Sequence, residues 1–306
     1  MRGLSVSMAG VAGLLAITSA AAAQTTAPVA PAPSAAAPPV QPIRASKIIL
    51  VGDSTTAVVG GWGPSFCAYH VTSFLSCVNL ARGGRSSGNY ITEGSWDIAL
   101  AEMSTGAYVQ TWVLIQFGHN DQPGKPGRST DLATEFPANL RRYVAETRAK
   151  GAIPVLLTPL TRRQFVDGVL QNDLEPWAEA VRKVAAETNT PLVDLNAASA
   201  AAVQALGPMM SAQFAQAAPS PEVAAALLTG TTIASSTGVP QAAPAAGQAA
   251  GQAASAQNNA SVEPMGQARI AFDYTHLGTV GADFFARMVT QHLAIAVPGL
   301  RRNLIP

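Results

Sequence analysis

The strongest constraint on this chain is a repeated alternation between short, nearly continuous apolar runs and longer amphipathic stretches. The runs are residues 47–51 (KIILV), 77–80, 111–117 (TWVLIQF), 153–157 and 192–195. A strand with one face in water alternates apolar and polar residues, whereas a strand covered on both faces reads as a continuous run. Between the runs, residues 62–74, 96–103, 130–150 and 173–187 carry apolar positions at helical spacing. Strand and helix taken in turn predict a parallel five-stranded sheet with helices on both faces, a three-layer α/β/α sandwich. Gly151 stands where a helix C-cap belongs, directly before the fourth run. A last helix over residues 278–293, with Val280, Phe284, Met288 and Gln291 on one stripe, is expected to close the sheet.

Three flanking or inserted segments lack this pattern. Residues 1–23 place Arg2 before an Ala- and Gly-rich apolar run that ends in small residues, the pattern of a cleaved signal peptide. That run is shorter than the ~20 residues a membrane helix needs, so no membrane association is expected once it is removed, and the mature protein is expected in the periplasm or outside the cell. Residues 24–44 are rich in Ala and Pro and read as an extended linker. From about 208 to 264 the chain is mostly Ala, Gln, Gly, Ser and Pro, which reads as a flexible insertion, although residues 221–228 could form an Ala-rich helix.

A formal net charge of +1, with 12% charged residues, provides no basic face to follow a phosphate backbone, so nucleic acid is not an expected partner. The two cysteines, Cys67 and Cys77, are expected to pair in an oxidising compartment, two buried thiols being the alternative.

Polar residues that follow the strand candidates carry the chemistry. Gly52-Asp53-Ser54 ends the first run, and ligands of open α/β sheets bind at the carboxyl ends of strands. Ser54 there is either a nucleophile or a helix N-cap. Asp273 stands three residues before His276, close enough in one tight turn to accept the Nδ1 proton and leave Nε2 free as a base. The alternative is a pair of helix caps. Asn120, after the third run, is an oxyanion donor or a turn residue. The glycines Gly83 and Gly84, after the second run, let backbone N–H groups approach a ligand.

The blocks GDST at 52–55, GGRSS at 83–87, QFGHND at 116–121 and DYTHLG at 273–278 resemble those of SGNH (GDSL) hydrolases, and within them the rhamnogalacturonan acetylesterase group. The resemblance runs from about residue 47 to 298, insertion excluded, so that residues 45–300 form the hydrolase domain. It implies a flavodoxin-like sheet and no metal or organic cofactor. By resemblance Ser54 is the nucleophile and, through its N–H, one oxyanion donor; Gly84 and Asn120 are the others; His276 is the base and Asp273 orients it. The implied activity is removal of O-acetyl groups from a plant cell-wall polysaccharide or oligosaccharide such as rhamnogalacturonan, pectin or xylan. A lipase or thioesterase of the same fold and a non-catalytic glycan-binding protein remain as alternatives.

Gly84-Arg85-Ser86-Ser87-Gly88 also satisfies G-x-S-x-G, which would make Ser86 the nucleophile of an α/β-hydrolase. A single strand candidate before it, where such folds set several, argues against that reading. Arg85, Arg162 and Arg163 could each fork onto a uronate carboxylate, His119 is read as structural, and Trp62 as a helix-start anchor or a sugar-stacking platform.

Overall fold

The computed structural model describes residues 43–235 and 270–306. The leader, nearly all of the linker and residues 236–264 of the insertion lie outside the described residues. Five strands form one parallel sheet: β1 (Ser46–Gly52), β2 (Leu75–Asn79), β3 (Thr111–Gln116), β4 (Ile153–Leu157) and β7 (Leu192–Val193), in the order β2-β1-β3-β4-β7. A short antiparallel hairpin, β5 (Phe165–Val166) and β6 (Val169–Leu170), lies apart from it.

The helices are α1 (Gly63–Tyr69), α2 (Ser87–Thr92), α3 (Ser95–Met103), α4 (Glu135–Ala149), α5 (Glu175–Glu187), α6 (Leu195–Ala212), α7 (Pro221–Leu228) and α8 (Thr279–Ala296), followed by a 3-10 turn at Pro298–Asn303. Among the described residues no helix is long and apolar enough to cross a membrane.

β1 explains the three layers. Every residue of it is buried, and successive side chains of a strand point to opposite faces. Ile48 and Leu50 join a core with Trp62, Phe66, Phe285 and Val289, under α1 and α8. Ile49 and Val51 join the opposite core with Trp96, Phe136, Tyr143 and Val181, under α3, α4 and α5. Lys47 is buried at the strand's entry, where its Nζ donates to Glu102 Oε1 (2.8 Å), Thr105 Oγ1 (2.7 Å) and two main-chain carbonyls. That many acceptors offset the cost of burying an ammonium group.

Three expectations are corrected. The stripe on α8 is turned by about one residue: Val280 is 65% exposed, while Gly281, Ala282, Phe285, Ala286 and Val289 face the core. At the start of the helix the packing is close: a Cβ on Gly281 would lie 2.6 Å from the Phe214 carbonyl, so only a residue without a side chain can face inward there. Order does not end near residue 208. α6 runs to Ala212 across a break at Gly207, and α7 is capped by Ser220, whose side chain accepts from Val223 N. Val223 and Leu227 of α7 pack with Ala212, Phe272 and Tyr274 in a third core, so two large residues suffice to dock this short, alanine-rich helix. The first amphipathic stretch is helical only to Tyr69, because the chain must turn back to start β2 at Leu75. Cys67 of α1 and Cys77 of β2 form a disulfide.

Candidate active site

The carboxyl end of β1 leads into a turn built on Asp53. Its Oδ1 accepts from Thr55 N (2.9 Å) and Thr55 Oγ1 (2.8 Å), and its carbonyl accepts from Thr56 N and Ala57 N. This Asx-type turn presents Ser54 half-buried, and Ser54 caps no helix, because α1 begins only at Gly63. Asp53 itself is fully buried, with Oδ2 3.3 Å from Nδ1 of the equally buried His119. Burial works to raise the Asp53 carboxyl, but the facing imidazole and the Thr55 donors outweigh it and hold it below the ordinary carboxylate range. Burial likewise pushes His119 down. His119 therefore supports the Ser54 turn from behind, as the structural reading expects.

Two neighbouring strand ends meet this turn. Asn79, ending β2, donates Nδ2 to Thr56 O (2.9 Å) and accepts from Ala81 N (3.0 Å). The glycine loop that follows abuts the serine, and a Cβ on Gly83 would lie 3.8 Å from Ser54 Cβ. Gly84 has a φ of +74°, which a side chain would strain. Gln116, ending β3, accepts at Oε1 from Thr56 Oγ1 (2.5 Å) and Trp62 Nε1 (2.8 Å). Trp62 is completely buried, so it anchors the start of α1 and cannot stack on a sugar. Asn120 is buried too, and its Nδ2 donates to Arg85 O (3.1 Å). An amide nitrogen carries two protons, so one remains for a ligand.

The fourth contribution comes from near the end of the chain. Asp273 Oδ2 lies 2.7 Å from His276 Nδ1, while Oδ1 accepts from Thr275 N (2.7 Å) and His276 N (2.6 Å). Burial acts to raise the Asp273 carboxyl, but these bonds pull it down to about 2. An ionised Asp273 at Nδ1 leaves the lone pair on Nε2. Neither residue caps a helix, since Gly278 is the N-cap of α8. The turn is joined to the loop after β1, where Leu277 N donates to Gly60 O (2.8 Å) and Gly60 lies against the His276 side chain. Ser54, the glycine loop and Asn120 all follow strand ends, and the Asp273–His276 turn is joined to the loop after β1; these are the kinds of group that attack on an ester carbonyl requires.

The rival serine is accounted for differently. Ser86 is fully buried as the N-cap of α2, in a reciprocal capping box with Asn89. Ser87 Oγ donates to Asp121 (2.6 Å). The arginines make bonds within the fold. Arg85 braces the glycine loop, with Nη1 on Gly83 O and Nε on Glu93. Arg162 and Arg163 are each 1% exposed, so neither offers a solvent-facing fork to a uronate. Arg162 Nη1 donates to Asp173 (2.5 Å), and Arg163 grips the turn that holds His276. Gly60 and Arg163 are the residues whose place here no local pattern announces, because only the folded chain brings them to His276.

Known proteins agree with this architecture. Residues 50–214 match the sequence signature described as the GDSL-like Lipase/Acylhydrolase family. "Probable rhamnogalacturonan acetylesterase YesY" of Bacillus subtilis (strain 168) is 37% identical over 158 residues, 49% of this chain and 70% of that protein. "Rhamnogalacturonan acetylesterase RhgT" of the same organism is 34% identical over 170 residues, 53% of this chain and 70% of that protein. The crystal structure of Bacillus subtilis YxiM superposes with a TM-score of 0.53 at 22% identity, covering 83% of this chain and 58% of that one, and so shares the fold. With the parallel sheet and the family signature in agreement, the chain belongs to the GDSL-like lipase/acylhydrolase family of SGNH hydrolases.

Proposed function

We propose that the protein is a serine esterase that removes O-acetyl groups from a plant cell-wall polysaccharide, with Ser54, His276 and Asp273 as its triad. The observation that carries this reading is the 2.7 Å bond between Asp273 and His276 Nδ1, which leaves the opposite ring nitrogen as a base at the edge where Ser54 stands. Ser54 Oγ attacks the acetyl carbonyl as His276 Nε2 takes its proton, and the oxyanion is met by the N–H groups of Ser54 and Gly84 and the Asn120 amide. His276 returns the proton to the leaving sugar hydroxyl. Water then adds to the acyl-enzyme by the same route, releasing acetate and restoring Ser54.

The relatives named as rhamnogalacturonan acetylesterases support an acetylated pectic substrate. The leader-like residues 1–23 and the Cys67–Cys77 disulfide support action in the periplasm or outside the cell. The test is acetate release from p-nitrophenyl acetate, acetylated pectin and acetylated xylan by the parent protein and by Ser54→Ala and Ser86→Ala. Loss with Ser54→Ala alone is the expected result. A preference for octanoyl over acetyl esters would instead indicate a lipase or thioesterase, and glycan binding without turnover would sink the enzymatic reading.

A further inference from the structure

The turn that carries the base has four main-chain carbonyls, and all four are held by one residue. Arg163 Nη2 donates to Asp273 O (3.0 Å) and His276 O (2.8 Å), Nη1 donates to Thr275 O (3.2 Å), and the Arg163 backbone N–H donates to Tyr274 O (2.9 Å). The amides on the other side of the turn point to the Asp273 carboxylate. Residues 273–276 are therefore clamped between a guanidinium on their carbonyls and a carboxylate on their N–H groups.

We propose that Arg163 is the positioning residue for the base: by fixing the carbonyls of residues 273–276 it sets the attitude of the His276 ring toward Ser54. The inference rests on the triad reading above. A planar guanidinium with donors at fixed angles suits this task, because it can bond several carbonyls whose directions differ, and an ammonium group on a flexible stem cannot reproduce the pattern. Arg163 is itself placed by its neighbours, since Thr161 N donates to Ser199 Oγ on α6 (3.1 Å) in the segment that follows β4. The side chain is 1% exposed and its hydrogen bonds all go to this turn, so it acts on the reaction only through the turn.

The test compares Arg163→Met and Arg163→Lys with Arg162→Met, which removes an equally buried arginine that bonds Asp173 instead. Folding is followed by near-UV circular dichroism, turnover by kcat and KM on p-nitrophenyl acetate, and the Asp273–His276 bond by the low-field proton resonance of His276 Nδ1–H. Displacing a reacting group by an ångström costs on the order of a hundredfold, so Arg163→Met is expected to lose roughly ten- to hundredfold in kcat with KM little changed. Its low-field resonance broadens or disappears. Arg163→Lys recovers part of both, and Arg162→Met keeps the resonance whatever it loses in stability.

A folded Arg163→Met with parental kcat and resonance would overturn the proposal, as would an equal loss of the resonance in Arg162→Met. So would failure of both Arg163 variants to fold where Arg162→Met folds, which would make Arg163 a core residue only. If the parent turned over no ester the triad reading would fail, while the resonance would still report whether Arg163 orders the Asp273–His276 pair.

Discussion

Gly60 lies directly against His276: a Cβ at residue 60 would come within 3.2 Å of His276 Cδ2 and 3.3 Å of its Cβ. Gly60 also adopts a φ of +86°, so a side chain there is opposed by backbone strain as well as by the imidazole. Gly60→Ala is therefore expected to push the ring away and lower kcat by about ten- to hundredfold. The check is kcat beside a thermal melt; a variant with parental kcat would show that the ring tolerates displacement.

Asn120→Ala tests the proposed oxyanion donor while leaving the Asp273–His276 bond in place. Such a donor contributes about 3 kcal/mol to the transition state, so kcat should fall by roughly two to three decades and not to zero. Stopped assays on p-nitrophenyl acetate measure this directly. Full activity would remove Asn120 from the oxyanion hole.

Ser86→Ala separates a cap from a nucleophile. Loss of an N-cap costs about 1 kcal/mol, so the variant should melt earlier and keep its kcat. If activity vanished from a folded Ser86→Ala protein, the G-x-S-x-G reading would have to be reinstated.

Asp121 gives a stability term with a definite sign. Burial raises its carboxyl to about 7, against the pull of bonds from Ser87 and Thr130. A carboxyl whose folded pKa exceeds its unfolded value stabilises the fold fully at pH values below the unfolded pKa, and that contribution is lost as pH rises through about 7. Asp121→Asn cannot titrate, so parent minus variant stability should decline with pH between about 4 and 7, by at most about 1.4 kcal/mol per unit. Urea titrations at several pH values give the slope; a flat difference would mean that Asp121 stays ionised in the fold.

The sheet was legible because its strands are covered on both faces and therefore read as unbroken apolar runs. β3 and β4 differ from the expected spans by at most one residue. α6 was not legible: it is mostly small residues, and its buried face, which includes Asn196, Ser199 and Val203, gives little apolar period. The sequence allows α7 as a helix but does not predict that it docks, because two anchors, Val223 and Leu227, fall below what composition reveals. In the site, Ser54 and the Asp273–His276 pair announce themselves by local spacing. Arg163 and Gly60 do not, since each matters through a contact with a residue far along the chain, and an arginine after a strand looks the same whether it faces solvent or a buried turn.

The site joins a turn at the exit of the first strand to a turn just before the last helix. All five strands of the sheet precede residue 273 in the chain, so the Asp273–His276 turn and the helix that covers Ile48 and Leu50 are the last pieces supplied to the domain. Under the triad reading, a chain cut before them would keep every strand and lose its base, so hydrolysis reports the docking of the last helix more directly than any spectroscopic measure of the sheet.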